Sequence, residues 1–268
     1  MTISILGCGW LGLSLGEFLA KRGFNIKGST TSLEKIPTLE AVGIEPFHLI
    51  AKPQKIESKN LTKFFNSDLL ILNIPPGRRS ANVEEDHPAQ IKTIIKHTTA
   101  EHILFVSSTG VYGDKNAIAR EEDELAPTRK STKALAKVEQ YLKRLNHKKV
   151  TILRMAGLVG GERKAGHFFA GKQNISDPEK PVNMVHRDDC IRVIHQVIKQ
   201  QKWGKIYNVC ADEHPSKRDF YTAQTEKLSL EPPTFKESAK KGSYKIVSNE
   251  KVKRDLDYQF LYPDPMEF

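Results

Sequence analysis

Short apolar runs of strand length alternate along the chain with stretches that have the period of a helix. The run DLLILNI at 68–74 is continuous and apolar, which is typical of a strand covered on both faces. The predicted strands are TISIL (2–6), FNIKG (24–28), IEPFHLI (44–50), DLLILNI (68–74), HILFVSS (102–108), VTILRM (150–155) and KIYNVC (205–210). Helices are predicted up to about 22, over 33–42, near 88–100, within 129–149, over 189–200 and near 216–228. The alternation predicts an α/β fold of Rossmann type, which is a doubly wound parallel sheet with right-handed crossovers.

The net charge of the chain indicates which class of ligand it binds. The net charge is +10, and the basic residues are densest at 129–149, where the apolar spacing indicates an amphipathic helix with a solvated lysine face. No nucleic-acid-binding motif accompanies these residues, so no nucleic-acid partner is expected. The positive charge instead favours a small anionic substrate.

The cysteines and the first apolar stretch bear on location. Cys8, Cys190 and Cys210 lie far apart and form no C-x-x-C pair, which disfavours a disulfide framework and a metal site. Their spacing is typical of a protein in a reducing compartment. The stretch 3–20 lacks a basic leading segment, contains Glu17 and is interrupted by glycines, so it indicates neither a signal peptide nor a membrane span. We therefore expect a cytoplasmic location and no membrane partner.

A glycine motif follows the first predicted strand. Gly7, Gly9 and Gly12 fit G-x-G-x-x-G, open a helix and are followed by a second strand. In a dinucleotide-binding turn such glycines allow a tight turn, a close approach of the pyrophosphate and close helix–strand packing. We expect these glycines, with Trp10 and Leu11, to hold the pyrophosphate at the helix N-terminus. The alternative is a tight turn without a ligand.

The end of the second predicted strand indicates which dinucleotide is bound. Ser29, Thr30 and Thr31 stand there, where the adenosine ribose of a dinucleotide would bind, and we expect Ser29 and Thr30 to face it. No acidic residue occurs before Glu34. A carboxylate would repel a 2′-phosphate, whereas hydroxyls, backbone amides and Lys35 would accept one. NADP is therefore the favoured cofactor, and NAD is the alternative.

The loop after the fourth strand belongs to the same carboxyl edge of the predicted sheet. We expect Ile74, Pro75 and Pro76 to lie against the cofactor. Arg78 is a candidate for binding a phosphate or carboxylate of the substrate. The alternative is that Arg78 and Arg79 are solvated.

The regular alternation breaks after residue 156, in a segment rich in Gly and Lys that we interpret as a functional excursion. We expect a dinucleotide-binding Rossmann domain over 1–160, completed by 184–210. The excursion 161–183 and the segment 211–268 then form a smaller C-terminal substrate-binding part.

Several motifs together resemble a known family. They are the glycine turn, SSTGVYGD (107–114), LRMAGLVG (153–160), VNMVHRDD (182–189) and YNVC (207–210). In this order they resemble the extended short-chain dehydrogenase/reductases, the NAD-dependent epimerase/dehydratase superfamily. With FFAGK at 168–172 and the Pro-Pro-Gly loop, the chain is most similar to the atypical branch exemplified by the bacterial YeeZ proteins. The resemblance covers nearly the whole chain.

The resemblance implies roles for particular residues. Ser108 would donate a hydrogen bond to the reacting carbonyl or hydroxyl of the substrate, and Tyr112 would shape the site. Ser107 is expected at the cofactor and Thr109 at the substrate. The substrate pocket would also include His167, Phe168 and Lys172. Family members often dimerise, which leaves a homodimer as one option.

The acid/base group of that family is absent. It is the tyrosine of a Y-x-x-x-K helix, and a neighbouring ammonium lowers the pKa of its phenol toward working pH. A helix glutamate commonly follows that tyrosine by eight positions, and counting back from Glu139 places Ser131 at the tyrosine and Leu135 at the lysine. Thr109 and Gly110 replace the aspartate and glutamate of the family's dehydratases, which disfavours a sugar 4,6-dehydratase.

Other residues are candidates for the missing acid/base, and their spacing selects none of them. They are Glu162, His167, Lys172, Glu121, Glu122 and His186. We expect Glu121 and Glu122 to lie in a solvated loop and His186 to be a packed histidine.

Two functions follow from these residues. The first is an NAD(P)-dependent oxidoreductase or epimerase that acts on a carbonyl or alcohol, with a nucleotide-linked or phosphorylated sugar as a candidate substrate. The second is a non-catalytic NAD(P) sensor or regulatory protein, because the Y-x-x-x-K pair is absent.

Overall fold

The computed structural model describes residues 1–77, 81–236 and 242–268. Its strands are β1 (Thr2–Leu6), β2 (Asn25–Thr30), β3 (Ile44–His48), β4 (Ile50–Ala51), β5 (Ile56–Glu57), β6 (Leu69–Leu72), β7 (His102–Ser108), β8 (Ala117–Ala119), β9 (Lys149–Met155), β10 (Gly157–Val159), β11 (Met184–His186), β12 (Ile206–Val209) and β13 (Lys245–Val247). Its α-helices are α1 (Trp10–Ala20), α2 (Ile36–Ala41), α3 (Leu61–Phe65), α4 (Val83–Ile95), α5 (Lys130–Lys143), α6 (Arg187–Lys199), α7 (Lys217–Glu226) and α8 (Glu250–Leu256).

Seven strands form the central sheet, in the order β12-β9-β7-β6-β1-β2-β3. The predicted doubly wound parallel sheet is confirmed, and every neighbouring pair from β7 to β3 is parallel. The strand order reverses between β1 and β6. In an open α/β sheet the carboxyl ends of the strands at this reversal form the crevice that binds ligands.

The predicted and observed elements agree best where the apolar pattern is continuous. The predicted strands 2–6 and 102–108 coincide with β1 and β7. The helix predicted near 88–100 is wrong at its start, because α4 begins at Val83 and contains Pro88. Glu84, Glu85 and Asp86 occupy the first turn of α4, where negative charge stabilises the positive end of the helix dipole.

Two compact units can be distinguished along the chain. Unit 1 consists of Met1–Val111, Leu125–Leu153 and Val197–Ile206, and unit 2 of Tyr112–Glu124, Arg154–Gln196 and Tyr207–Phe268. The predicted domain boundaries near residues 160 and 183 stay a prediction.

Each unit has its own core. Unit 1 buries β6 completely, which is why its sequence is apolar without alternation. Unit 2 contains a cluster of buried residues with partly buried neighbours, namely Val159, Ala165, Val182, Met184, Phe220, Phe168, Tyr221, Met266 and Phe268. Two short parallel strand pairs, β8–β13 and β10–β11, also belong to unit 2. They join segments that are distant in sequence, and the apolar pattern did not predict them.

Three properties of the described residues concern location and metal binding. None of the helices in 1–77, 81–236 and 242–268 is long and apolar enough to cross a membrane. The same ranges contain no group of three His, Cys, Asp or Glu side chains placed to hold a metal ion. Cys8, Cys190 and Cys210 are buried free thiols, and burial raises the pKa of the Cys8 thiol to about 12.

His87, in α4, makes stability depend on pH. The ring is 2 % exposed, and among the described residues its Nε2 has no hydrogen-bond partner. Burial lowers the pKa of His87 below its ordinary 6.5, so below about pH 6.5 the unfolded chain binds a proton that the folded chain excludes. We therefore expect the free energy of unfolding to decrease as the pH is lowered below about 6.5. His87 should contribute at most about 1.4 kcal/mol per pH unit to this decrease.

Urea unfolding between pH 7.5 and pH 5 tests this dependence. His87→Gln should reduce the slope of unfolding free energy against pH, whereas His147→Gln, at an exposed position, should leave it unchanged. Equal slopes for wild type and His87→Gln would contradict the assignment. Burial also lowers the pKa of His102, His186 and His214, so part of the slope should persist in either variant.

Candidate functional site

The glycine turn joins β1 to α1 in unit 1. Gly7 has φ +103°, which an L side chain rarely adopts, and a Cβ there would lie 2.8 Å from the carbonyl oxygen of Asn73. A Cβ at Gly12 would overlap the carbonyl oxygen of Gly7, so glycine permits the close approach of α1 to the turn. At Gly9 a Cβ would meet nothing within 4 Å. The turn is thus closed by Gly7 and Gly12 and open at Gly9.

The N-terminus of α1 suits an anion. Gly9 is its N-cap and offers no side-chain acceptor to the first amides of the helix, and the first turn contains no acidic residue. The first N–H groups of a helix lack intrahelical acceptors, and the helix dipole adds positive charge beside them. The turn therefore places Trp10 and Leu11 where backbone amides can bind a pyrophosphate.

The end of β2 contributes mainly to the turn. Ser29 is 3 % exposed, and its hydroxyl accepts a hydrogen bond of 2.9 Å from the Gly7 amide. The hydroxyl of Thr30 accepts a 3.1 Å bond from the Ser32 amide, and Thr31 is exposed. Of the three residues predicted at the adenosine ribose, Thr31 has the most accessible side chain.

The loop after β6 meets the same turn. The side-chain amide of Asn73 donates a 2.9 Å hydrogen bond to the carbonyl oxygen of Gly7. Ile74 lies beside Gly7, since its Cγ2 would be 3.0 Å from a Cβ there. Pro75 is exposed and Pro76 is buried. Arg78 and Arg79, predicted for this loop, lie outside the described residues.

The end of β7 is held to α5 through a buried hydrogen bond. The hydroxyl of Ser107 donates to the carboxylate of Glu139 at 2.6 Å, and Glu139 is fully buried. Ser108 is half-buried, and its hydroxyl accepts a 3.1 Å bond from the Gly110 amide. The Ser108 hydroxyl hydrogen remains available for a ligand in this arrangement. Thr109 is buried.

The contact of Ser107 with Glu139 defines which face of α5 approaches β7. Residues four apart share a helix face, so Leu135 and Ser131 lie on the same face as Glu139. Leu135 is 6 % exposed and buries an aliphatic side chain. No ammonium therefore stands at the position where the family has its lysine.

Gly110 is constrained by the same helix. A Cβ at this position would lie 2.7 Å from Cγ2 of Thr132. A side chain at 110 would therefore need the Thr132 side chain to move. The sequence argument against a 4,6-dehydratase stays a prediction.

The predicted substrate residues of the excursion lie in unit 2. His167 and Lys172 are exposed, and Phe168 packs against the apolar cluster of that unit. The ammonium of Lys172 donates to the carbonyl oxygen of Phe168 and lies 4.6 Å from the ring centroid of Phe169. The structure therefore brings Phe168 and Lys172 together, and their role toward a substrate stays a prediction.

His186 is packed rather than free. Its ring lies 4.0 Å from that of Tyr262 between centroids, and its Nδ1 accepts a 3.3 Å bond from the Asp188 amide. Burial lowers the pKa of His186. Among the other acid/base candidates, Glu162 is exposed and Glu122 forms an exposed ion pair with Lys251 at 2.8 Å.

Glu121 belongs to a buried network that the sequence did not reveal. The expectation that it is solvated is wrong, because it is 6 % exposed and its carboxylate accepts a 2.8 Å bond from the Asn208 amide. Burial raises the pKa of Glu121. Arg154 donates to the Tyr112 hydroxyl at 2.6 Å and to the Glu121 carbonyl at 3.0 Å, and Tyr112 donates to Asn208 at 2.8 Å.

The network makes Tyr112 a structural residue of unit 2. Burial raises the pKa of its phenol to about 12, which is the wrong direction for an acid/base near neutral pH. The signal available in the sequence was Arg154, a charged residue that stands between apolar residues near the end of β9. A charged side chain that is 1 % exposed must be paired, so it indicates buried partners.

The described residues fit a dinucleotide at the β1–α1 turn. No protein atom lies within 4 Å of the position that a Cβ of Gly9 would occupy. Because glycine has no side chain, this space stays open for a phosphate. Gly7, Gly9, Gly12, Trp10 and Leu11 would hold the pyrophosphate through backbone amides. This turn lies beside the reversal of strand order between β1 and β6.

Comparisons with known proteins agree with the fold. No protein-family model matches the chain. A conserved protein of unknown function from Silicibacter pomeroyi has 23% sequence identity and a TM-score of 0.77, over 99% of this chain and 95% of that one. The UDP-glucuronic acid 4-epimerase from Bacillus cereus, solved in complex with NAD, has 18% identity and a TM-score of 0.78, over 100% of this chain and 94% of that one.

A curated relative is closer in sequence. Protein YeeZ of Escherichia coli K12 is 35% identical to the chain over 268 residues, which are 98% of this chain and 97% of YeeZ. The similarity thus extends through both units. The chain therefore belongs to the YeeZ family.

Proposed function

We propose that the chain binds a nicotinamide dinucleotide at the β1–α1 turn and acts as an oxidoreductase or epimerase on a carbonyl or alcohol. The observation that carries the proposal is the turn itself, closed at Gly7 and Gly12 and open at Gly9 in front of the uncapped N-terminus of α1. The NAD complex of the Bacillus cereus epimerase, which has the same fold, supports it.

The dinucleotide we propose is NADP, with NAD as the alternative. No carboxylate stands at the end of β2, and Thr31 and the backbone after it are accessible to a 2′-phosphate. Ser29 supports this preference less than its sequence position suggests, because its hydroxyl is engaged by the Gly7 amide.

The chemistry would use the strand end of β7. A bound nicotinamide supplies or accepts the hydride. The Ser108 hydroxyl would donate a hydrogen bond to the oxygen of the carbonyl or alcohol and so orient the reacting carbon. Glu139 would hold Ser107, the neighbour of Ser108, and thereby fix the end of the strand.

The substrate and surroundings follow the same proposal. We propose a small anionic substrate, with a nucleotide-linked or phosphorylated sugar as the candidate, because the net charge is +10. We propose a cytoplasmic location, which is consistent with three buried free thiols. We propose neither nucleic acid nor a membrane as a partner, and a homodimer is one option for the assembly.

Calorimetric titration of cofactor-stripped protein with NADPH and NADH in parallel tests the function. We expect both to bind and NADPH to bind more tightly. Equal affinities would remove the NADP preference and leave the function standing. If neither dinucleotide binds, the proposal is contradicted, because the glycine motif would then be a tight turn without a ligand.

Ser108→Ala should separate chemistry from cofactor binding. Loss of one hydrogen-bond donor at the reacting oxygen is expected to lower turnover about a hundredfold and leave the Kd of NADPH unchanged. The measurement is NADPH oxidation across a panel of carbonyl compounds and nucleotide sugars. Ser67→Ala is the matched control, since the Ser67 hydroxyl is likewise bonded to one backbone group and lies at the amino end of β6. Unchanged turnover in Ser108→Ala would contradict its role.

A second candidate function is a dinucleotide sensor. The buried Leu135 and the short Ser131 on the same face of α5 favour it, because the tyrosine and lysine of the family are both missing there. A sensor would bind NADPH, turn over nothing in the panel and change its binding to another protein with the redox state of the cofactor. Turnover of any compound in the panel would exclude a purely sensory role.

A further inference from the structure

Two side chains from different strands hold the backbone on either side of Gly7. The Ser29 hydroxyl, at the end of β2, accepts a hydrogen bond from the Gly7 amide at 2.9 Å. The Asn73 side-chain amide, directly after β6, donates to the Gly7 carbonyl oxygen at 2.9 Å. Backbone bonds of 2.9 Å accompany both contacts, from the Cys8 amide to the Ser29 carbonyl and from the Asn73 amide to the Leu6 carbonyl. We call Ser29 and Asn73 the Gly7 clamp.

The clamp acts on both soft dihedrals of Gly7. The Gly7 amide belongs to the peptide plane before its Cα, and the Gly7 carbonyl to the plane after it. A hydrogen bond on each plane therefore restrains φ and ψ together. Glycine at φ +103° has more conformational freedom to lose than any other residue, so the restraint has the largest effect here.

The position of Gly7 in turn sets the position of α1. The Gly7 carbonyl faces the site where a Cβ of Gly12 would stand, so the turn and the first turn of α1 are in direct contact. Any rotation of the Gly7 peptide would move this oxygen into or away from the helix. The direction of the amides at the N-terminus of α1 therefore depends on the orientation of the Gly7 peptide.

We propose that Ser29 and Asn73 are positioning residues that preorganise the turn for the pyrophosphate. The proposal rests on the proposed dinucleotide binding and assigns Ser29 to the turn rather than to the ribose. A turn that is ordered before binding avoids the entropy cost of ordering it on binding. Neither residue needs to touch the ligand for this effect.

The test compares Ser29→Ala and Asn73→Asp with wild type by calorimetry with NADPH and NADH, well below the midpoint of thermal unfolding of each variant. Asn73→Asp is nearly isosteric but presents an oxygen to the Gly7 carbonyl. It also adds a negative charge near the proposed pyrophosphate, so weaker binding by the uncharged variant Ser29→Ala is the decisive result. Ser67→Ala is the control for loss of a buried serine hydrogen bond elsewhere in the sheet. Since the pyrophosphate is common to both ligands, each clamp variant should bind NADPH and NADH about tenfold more weakly, by the same factor.

The outcomes separate this proposal from the function on which it rests. If wild type binds neither ligand, the proposed function and the clamp fall together. If wild type binds and the variants bind equally well, with only their unfolding temperatures lowered, the clamp alone is refuted and its residues are merely structural. If Ser29→Ala weakens NADPH far more than NADH, Ser29 contacts the 2′-phosphate and the clamp is again refuted. Should Asn73→Asp fail to fold, Ser29→Ala decides by itself.

Discussion

Replacing Gly9 with alanine is expected to weaken dinucleotide binding about a hundredfold while leaving the protein as stable as wild type. The added methyl would meet nothing within 4 Å in the protein itself. The backbone of Gly9, at φ −82° and ψ −152°, lies at the edge of the extended region, so alanine there carries a small strain. The lower freedom of alanine in the unfolded chain offsets this strain, and we expect stability to change by less than about 1 kcal/mol. The methyl would, however, fill the space that we assign to the pyrophosphate.

Gly12→Ala provides the contrast for this experiment. Its methyl would overlap the Gly7 carbonyl oxygen, so both the unfolding temperature and the affinity should fall. The measurements are thermal unfolding and calorimetric titration with NADPH for both variants. Normal NADPH affinity in a folded Gly9→Ala protein would show that the ligand does not approach this turn. A large loss of stability in Gly9→Ala would show that the open space beside Gly9 is filled by the protein itself.

The sheet was predictable because its strands are encoded locally. β6 and residues 103–106 of β7 are continuous apolar runs, which is the pattern expected of strands covered on both faces. The start of α4 was not predicted. The helix begins at Val83, where the acidic residues 84–86 stabilise the positive end of the helix dipole. The pairing of β8 with β13 joins residues 117–119 to 245–247, and no local period records such a contact.

The candidate site, like the fold, has features that the sequence predicts and features that it does not. The glycine turn was predictable, because a side chain at Gly7 or Gly12 would collide with a backbone carbonyl oxygen. The use of the Ser29 hydroxyl by Gly7 was not, since it depends on how β1 and β2 lie side by side. Glu121 was misjudged because it stands in a highly charged stretch of sequence, and only the approach of the Asn208 amide shows that it is buried. Contacts between distant segments thus decide which polar residues are solvated.

Asp189→Ala is expected to cost about 3 kcal/mol or more in the free energy of unfolding, the largest effect on stability that we predict. Asp189 is fully buried in α6, and its carboxylate accepts three hydrogen bonds from the C-terminal segment of unit 2. The donors are the Tyr258 hydroxyl at 2.6 Å, the Leu261 amide at 2.8 Å and the Tyr262 amide at 3.1 Å. Alanine would leave these donors without their acceptor and open a cavity among them.

Urea unfolding of Asp189→Ala, Asp188→Ala and Tyr258→Phe tests this assignment. Asp188 is the matched control, since its side chain is 40% exposed and its ion pair with Arg187 at 3.4 Å should contribute little. Tyr258→Phe removes one of the three donors and should cost about 1 kcal/mol, which keeps the test decisive if Asp189→Ala does not fold. Equal losses for Asp188→Ala and Asp189→Ala would contradict the role of Asp189. A Tyr258→Phe protein as stable as wild type would show that the tyrosine hydroxyl contributes nothing to this contact, and the expected loss of about 1 kcal/mol would be refuted.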